Sequence, residues 1–517
     1  MNHSSDFSQG LLHAGVGKAE ITIAEKAVAV HDPLYVKALV LDDGECRGAI
    51  ITLDAVAIGG IADVADDFLP RLRKRLESEL GIPAPHVMVT ASHTHPSNRL
   101  LCGEEEQIQR TFDAVKRASD SLAPVLVGSG KSFENRIAIN RVLRLKNGKE
   151  WTIRQSTPCP PDEEVSGLGP FDPEIGLLRL DRLEGDTLAV VYNYACHTLI
   201  GVPSGAITAN FPGFASKVIE DNLPGAMAFF IQGAAGDVTE LLYKDVNRPR
   251  DARPLGMMLG LSVLQGLKDI ATGPGILGIV NESLSLPRRT DGAERIRELE
   301  EEQKQLLASL RFSSLNLKSF LPLYLKHLQD PEHPGDYSYR YLQEESIGIS
   351  DLVDADSENR RHLERYIHNI HRMEKLVQIV DSIETLKKHQ EEIRRAKGRF
   401  IATETMGFRI GNFVLITSAA ELCTEIGLKI KRSSPFEHTF LASFTNGYIH
   451  YGASAEAYHK GSYEVTECLL APEWQQIFED KAGQILQNLR TPPLSKGDAG
   501  NCHPLHLEST REERVAV

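Results

Sequence analysis

The amino-acid sequence predicts a mixed α/β protein with a central sheet system, because two kinds of segment alternate along the chain. From Gly15 to about Ser285, short runs rich in β-branched residues, typical of strands, alternate with runs that carry apolar residues at positions i, i+3 and i+4, typical of helices. Such alternation is characteristic of chains in which helices cover sheets. Of the 517 residues, 41% are hydrophobic and 25% are charged, which is ordinary for a globular protein.

Each predicted element rests on its own run of residues. The strands are short and apolar, and Gly, Pro, Asn or Asp bounds them. They are YVKALVL, GAIITLDAV, HVMVTASH, APVLVGSG, GLLRL, TLAVVYNYACH, AMAFFIQG and ILGIVNESL, then FRIGNFVLITSAAE and FLASFTNGYIHY. The amphipathic helices are IADVADDFLPRLRKRLESEL, EEQIQRTFDAVKRASDSL, FPGFASKVIEDNL, DARPLGMMLGLSVLQGLKDI and APEWQQIFEDKAGQILQNL.

At about Asp291 the sequence changes to long, charged, helical patterns. The runs AERIRELEEEQKQLLASL and ENRRHLERYIHNIHRMEKLVQIVDSIETLKKHQEEIRRAKG predict helices, and 329–356 between them is loop-like. His362, His368 and His371 alternate with Arg and Glu in the second run. That alternation favours a solvated helix face over a metal site.

These patterns predict how the chain is divided. We expect 291–398 to be a helical insertion or hairpin, which separates a first part of the main domain at 11–290 from a second part at 399–490. The polar segment 491–517 is predicted to be a loose tail.

Charge and cysteine content exclude several classes of function. The formal net charge of −14 argues against binding to nucleic acids and to anionic membranes, both of which attract basic surfaces. No run approaches the roughly 20 apolar residues of a membrane helix, and the N-terminus lacks the pattern of a secretory leader. The seven cysteines are scattered and form no C-x-x-C. We therefore expect a cytoplasmic protein with reduced thiols.

The motif SHTH places two histidines one residue apart after a β-branched run. Residues i and i+2 of a strand point to the same face, so a strand that continues past Thr90 would project His93 and His95 together. Neutral imidazole is a common metal ligand. Two surface histidines at a strand end are the alternative interpretation.

Three further apolar runs also end in groups that bind metals. His197 ends VVYNYACH, Glu421 ends NFVLITSAAE, and Tyr448 and Tyr451 follow LASFTN. Two histidines and a carboxylate are the ligands of many catalytic zinc sites. Taken singly, His197 also fits a buried core histidine, Glu421 a helix cap, and Tyr448 a packed turn residue.

Several motifs in the same order resemble those of the neutral, non-lysosomal ceramidases. They are TASHTH, NYACHTLIG, QGAAGDVT, the glutamate of SAAE and NGYIHYGASAEAYHKGSYE, together with AINR and FDPEIGLLRL. The resemblance runs from Gly15 to about residue 470, with the helical insertion largely outside it. It implies a layered sandwich of two β-sheets flanked by helices.

The resemblance also implies roles for individual residues. The implied zinc ligands are His93, His197, Glu421 and a tyrosine, most simply Tyr448, with Tyr451 as the other candidate. His95 would lie beside the metal and hold substrate or water. The implied catalytic residues are completed by Arg141 and Tyr458, as donors to a developing oxyanion, and by Thr239, the hydroxyl nearest to the position of the family's serine.

The sequence departs from the family at several positions. Ala419 and Ala420 replace a Pro-Gly pair, and the turn that carries the family's serine is here GDVTEL, with Thr239. The loop after SHTH differs, and no secretion leader or C-terminal immunoglobulin-like domain is visible. These departures favour a smaller or more polar N-acyl substrate over ceramide itself.

We therefore expect a zinc-dependent hydrolase that cleaves a C–N amide bond of a small N-acyl molecule with zinc-activated water. An esterase, a lactone or cyclic-amide hydrolase, or a lyase on the same scaffold is the first alternative. A catalytically silent, zinc-containing binding protein is the second. The sequence leaves the oligomeric state open.

Overall fold

The computed structural model describes residues 11–25, 28–95, 100–153, 159–241, 250–396 and 398–490. The predicted loose tail at 491–517 lies outside the described residues. No helix in these ranges combines the length and the apolarity needed to cross a bilayer.

The strands of the described residues form one large sheet, one medium sheet and three small ones. In chain order they are β1 (His13–Glu20), β2 (Tyr35–Asp42), β3 (Arg47–Leu53), β4 (Val87–Ala91), β5 (Ala123–Phe133), β6 (Ala138–Asn140), β7 (Val142–Leu145), β8 (Glu150–Thr152), β9 (Val165–Leu168), β10 (Glu174–Arg182), β11 (Thr187–Tyr194), β12 (Met227–Gln232), β13 (Val238–Glu240), β14 (Leu277–Pro287), β15 (Phe400–Ile410), β16 (Phe413–Thr417), β17 (Glu421–Leu422), β18 (His438–Ala442) and β19 (Tyr451–Gly452).

The helices cover the sheets or lie within the segment 291–398. They are α1 (Phe68–Leu80), α2 (Glu104–Asp120), α3 (Asn210–Asn222), α4 (Ala252–Leu267), α5 (Gly292–Ala308), α6 (Leu317–Gln329), α7 (Ser338–Ser346), α8 (Asp351–Ala396), α9 (Thr424–Ser433), α10 (Tyr463–Thr466) and α11 (Trp474–Arg490).

The large sheet has the strand order β12-β11-β10-β5-β1-β2-β3-β4 and is antiparallel except at its two edges, where β11/β12 and β3/β4 are parallel. The sheet curls so that its edges approach each other, and β12 contacts both β3 and β4. Lys37 on β2 donates a hydrogen bond of 2.9 Å to the carbonyl oxygen of Ala228 on β12. The curl brings the segments that follow β4 and β11 to one side of the molecule.

Alternation along the strands explains the layers. On β2, Val36, Ala38 and Val40 pack against α1 and α2, whereas Leu39 and Leu41 face the medium sheet β14-β15-β16-β18. The helices α3 and α4 cover the β10–β12 half of the large sheet, and α9 and α11 cover the outer face of the medium sheet. The structure thus confirms the predicted α/β sandwich of two β-sheets flanked by helices.

The described residues of the predicted helical insertion, 291–398, contain helices α5 to α8, of which α8 has 46 residues. Its own small apolar cluster joins α5 to α8 through Ile296, Leu306, Leu376, Ile379, Ile383 and Leu386. The expected loop at 329–356 is wrong in part, because α7 lies within it and α8 begins at Asp351. The hydroxyl of Tyr341 on α7 donates to the carboxylate of Asp356 on α8, a tertiary contact that polar composition does not reveal.

Candidate metal centre

Four segments that follow strands converge beside the sheets. Nε2 of His197 lies 3.2 Å from Oε2 of Glu421, and Nε2 of His93 lies 3.7 Å from the same oxygen. The ring centroids of the two imidazoles are 4.8 Å apart. The hydroxyl of Tyr448 donates to Oε1 of Glu421 at 2.6 Å. The structure therefore brings His93, His197, Glu421 and Tyr448 together.

A turn, not a continued strand, aims His93 into this group. Strand β4 ends at Ala91, and His93 adopts a φ of 63°. The expectation that His93 and His95 project from an extended strand is therefore wrong. The His93 ring stacks on Phe444, with centroids 3.9 Å apart, and Phe444 also has a positive φ of 54°. Such conformations cost about 1–3 kcal/mol each and cluster at functional sites.

Hydrogen bonds to main-chain carbonyls fix the orientation of both buried imidazoles. Nδ1 of His93 lies 2.7 Å from the carbonyl oxygen of Val56. Nδ1 of His197 lies 2.7 Å from that of Ala235 and 3.0 Å from that of Val238. A carbonyl only accepts, so Nδ1 carries the proton and Nε2 presents a lone pair to Glu421. Metal-binding histidines are commonly oriented in this way.

Glu421 supplies the observation that decides what the group can hold. Its Oε2 is buried and accepts no hydrogen bond from the described residues, whereas its Oε1 is held by Tyr448. Lone pairs of two nitrogens thus face a carboxylate oxygen, an arrangement that a cation stabilises. Two ligand atoms each 2.0–2.1 Å from a tetrahedral zinc ion lie about 3.3 Å apart. The observed separations of 3.2 and 3.7 Å fit that value.

The protonation states also suit a cation. Burial lowers the pKa of His93 well below its usual range. Burial, together with His197, lowers the pKa of His95 to about 4. Burial acts to raise the pKa of Glu421, yet this pKa lies well below its usual range, and the hydrogen bond from the Tyr448 hydroxyl contributes to the lowering. Neutral imidazoles beside an ionised carboxylate are the state that metal binding requires.

His95 completes the group on its more exposed side. Its Nε2 lies 2.8 Å from Nε2 of His93, and His95 is half-buried whereas His93 is fully buried. The ligand atoms of His93, His95 and His197 lie within 4.8 Å of one another. His95 is therefore placed either to join the donor set or to hold a molecule next to it.

Comparison with known proteins identifies solved structures that share this fold. No family model and no curated protein sequence matches the chain. A crystal structure of neutral ceramidase from Pseudomonas aeruginosa superposes with a TM-score of 0.56 over 93% of this chain and 75% of that chain, at 15% sequence identity. A ceramidase complexed with C2 gives the same values. The chain has a ceramidase-like fold. At this identity the likeness concerns architecture.

Within the ceramidase-like fold, Arg141 lies directly after β6 and is buried. It donates from Nε to Oε1 of Glu464 at 2.9 Å, and from Nη2 to the carbonyl oxygen of Gly236 at 2.7 Å and to the hydroxyl of Tyr451 at 2.9 Å. Its charge is close enough to contribute to the lowered pKa of His95. Arg141 therefore borders the group and is held by Glu464, a residue that the sequence did not single out.

The two remaining candidates have local partners. Thr239 on β13 donates to Oε2 of the neighbouring Glu240 at 3.1 Å. Tyr458 donates to the carbonyl oxygen of Leu470 at 2.7 Å, and its hydroxyl lies 3.3 Å from Sγ of Cys468. In this structure both hydroxyls therefore make hydrogen bonds to residues close by in the sequence.

The segment 233–240 supports His197 and the strand that carries Glu421. Its carbonyls orient His197, and the amide of Gly236 donates to the carbonyl oxygen of Leu422 at 2.8 Å. A Cβ on Gly236 would lie 2.6 Å from the carbonyl oxygen of Glu421, so glycine permits this close approach. Because these contacts are made by main-chain atoms, the sequence carries no side-chain signal for them.

Proposed function

We propose that the protein is a zinc-dependent hydrolase that cleaves the C–N amide bond of a small N-acyl molecule. The observation that carries the proposal is the buried Oε2 of Glu421, which faces Nε2 of His93 and of His197 and receives no hydrogen bond from any residue that the structure describes. The ceramidase-like fold supports the same reaction class, since a ceramidase is named for its action on ceramide, a lipid amide. The cytoplasmic location expected from the sequence stays a prediction.

The residues that would hold zinc are His93 and His197 through Nε2 and Glu421 through Oε2. Tyr448 is the proposed fourth group, and in this structure it orients the carboxylate from the other oxygen. When bound, zinc supplies a Lewis acid that polarises a carbonyl and makes water more acidic near neutral pH. A set of two imidazoles and one carboxylate favours zinc over magnesium or calcium, because imidazole nitrogen binds the softer cation better.

The chain's own side chains would manage protons and charge. Amide hydrolysis requires that water lose a proton and that the leaving amine gain one. His95 is half-buried and neutral at pH 7, so its free nitrogen is able to accept a proton at the exposed side of the group. The buried guanidinium of Arg141 contributes positive charge where the carbonyl oxygen becomes negative.

Turnover by the purified, zinc-loaded protein tests the proposal. The substrates are N-acyl amides of increasing chain length, with matched esters and lactones, and the assay measures released amine or acid. We expect amide cleavage that a chelator removes and that His197→Ala abolishes together with bound zinc. His438→Gln is the matched control, because His438 is half-buried and hydrogen-bonds Ser129 away from the group.

Other results of the turnover assay would support one of the alternative functions. Ester or lactone cleavage without amide cleavage would replace the amidohydrolase with an esterase or lactonase on the same scaffold. Full zinc occupancy with no turnover of any substrate would favour a silent binding protein. Zinc retention by His197→Ala would remove this residue from the site.

A further inference from the structure

A second group of histidine and glutamate side chains lies where the helical insertion meets the main domain. It consists of His389 on α8, His450 directly before β19, and Glu467 directly after α10. It shares no residue with the first group, which we define as His93, His95, His197, Glu421 and Tyr448. Nε2 of His389 lies 3.3 Å from Oε2 of Glu467, and Nδ1 of His450 lies 3.9 Å from the same oxygen. The three ligand atoms lie within 4.8 Å of one another.

The fold fixes each member of this group. His389 is 7% exposed and continues the buried stripe of α8 three residues after Leu386. His450 has a φ of 61°, in a region that non-glycine residues rarely adopt. The hydroxyl of Thr385 lies 3.4 Å from Oε1 of Glu467. Three separate elements therefore deliver nitrogen and oxygen atoms to one point.

The geometry repeats that of the first group. The nitrogen-to-oxygen separations are 3.3 and 3.9 Å here and 3.2 and 3.7 Å around Glu421, near the roughly 3.3 Å between two ligands of tetrahedral zinc. Nε2 of His450 lies 3.8 Å from Oε2 of Glu392 on α8. If Nδ1 of His450 binds a metal, Nε2 carries the ring proton, and the Glu392 carboxylate faces it at a distance typical of an ion pair and longer than a hydrogen bond.

A cavity adjoins this group at His389. A cavity of about 450 Å³ is lined by His389, Leu386, Gln390, Arg289, Asp291 and Cys468. The cavity lies between α8 and the main domain, and His389 forms part of its wall. Of the three proposed ligands, His389 is therefore the one that borders the cavity.

We propose that His389, His450 and Glu467 form a second zinc site that fastens the helical insertion to the main domain. Two imidazoles and one carboxylate leave a coordination position for water, and such nitrogen-rich sets select zinc over magnesium or calcium. The site adjoins the first group, since the Tyr448 ring lies 5.2 Å from the His450 ring and its hydroxyl donates to Glu421. Zinc at the second site would hold the turn that carries Tyr448.

Zinc content per chain tests this proposal on the full-length protein. The protein is stripped with chelator, reloaded with zinc, separated by gel filtration and analysed by mass spectrometry. We expect two zinc ions per chain in the wild type and one fewer in His389→Gln and in Glu467→Gln. His371→Gln is the matched control, because His371 is exposed on the same helix and pairs with Glu374; it should bind as many ions as the wild type.

Two further measurements test the proposal even if the ligand variants fail to fold. Glu392→Gln removes the charge that faces Nε2 of His450 and none of the three proposed ligands, so it should weaken zinc binding about 10-fold and leave the zinc count at saturation unchanged. Hydrogen exchange of 380–396 should slow when zinc is added to the wild type and not to His389→Gln. Equal zinc content in wild type, His389→Gln and Glu467→Gln would overturn the proposal and leave a plain ion pair of Glu467 with its histidines.

The outcome separates this site from the proposed catalytic one. If the first group binds no zinc, the wild type still exceeds His389→Gln by one ion. If the second group binds none, His197→Ala still loses one ion and His389→Gln loses none.

Discussion

The substitution Glu421→Gln distinguishes a metal site from a structural ion pair by the sign of its effect on the metal-free protein. Glutamine keeps the shape of the side chain and removes its charge. Its carbonyl oxygen continues to accept from Tyr448, and its amide nitrogen takes the place of Oε2, 3.2 Å from Nε2 of His197. Because Nδ1 of His197 faces two carbonyls, Nε2 is free to accept from the new amide.

The magnitude follows from three contributions. The bond from Tyr448 weakens by about 1 kcal/mol, since its acceptor is no longer charged. The new bond to His197 contributes about 1 kcal/mol. Oε2 of Glu421 is buried and has no donor among the residues of the described ranges, so replacing it removes a desolvation cost of about 1–3 kcal/mol. The metal-free Glu421→Gln protein should therefore be more stable than the wild type by about 1–3 kcal/mol, while its zinc affinity falls by at least about 100-fold.

The assay is urea unfolding of the chelator-treated protein, paired with a zinc titration. Glu464→Gln is the matched control, because Glu464 is equally buried but is paired with Arg141 at 2.9 Å. Breaking that pair leaves a buried guanidinium and should destabilise the protein by about 3–5 kcal/mol. Destabilisation of the same size by Glu421→Gln would refute the reasoning, since it would mean that Glu421 neutralises an imidazolium.

Three further predictions concern the same region. Tyr448→Phe removes the hydroxyl that donates to Oε1 of Glu421, so it should destabilise the metal-free protein by about 1.5–3 kcal/mol and weaken zinc binding in a titration. Thr239→Ala should lower the turnover rate without loss of zinc, and undiminished turnover would remove Thr239 from the mechanism. The free energy of unfolding of the metal-free protein should fall as the pH drops from about 6.5 to about 4, because the pKa of His95 is depressed in the folded state and the unfolded chain therefore binds more protons in this pH range. The slope is at most about 1.4 kcal/mol per pH unit for each such histidine. A stability that does not change over this pH range would contradict the prediction.

The layered fold could be predicted because its determinants are local and repeated. The apolar, β-branched run YVKALVL predicts a strand, and the structure places that run in β2, between helices and the medium sheet. The curl of the large sheet could not be predicted, since it depends on contacts such as that of Lys37 with Ala228, nearly two hundred residues apart. The helix α7 was missed because tertiary contacts, not apolar periodicity, stabilise it.

The candidate site divides along similar lines. Strand ends and a family resemblance predicted that His93, His197, Glu421 and Tyr448 belong together. The carbonyls that orient the imidazoles were invisible, because every residue carries one. His389 did leave a signal: it lies three residues after Leu386 on an apolar stripe, where a histidine needs a buried partner.

The most direct test of the central claim is anomalous diffraction at the zinc edge from crystals of the zinc-loaded protein. A zinc ion should lie about 2.0–2.2 Å from Nε2 of His93, from Nε2 of His197 and from a carboxylate oxygen of Glu421. A fully loaded protein whose anomalous density lies only elsewhere, with these three side chains metal-free, would contradict the account.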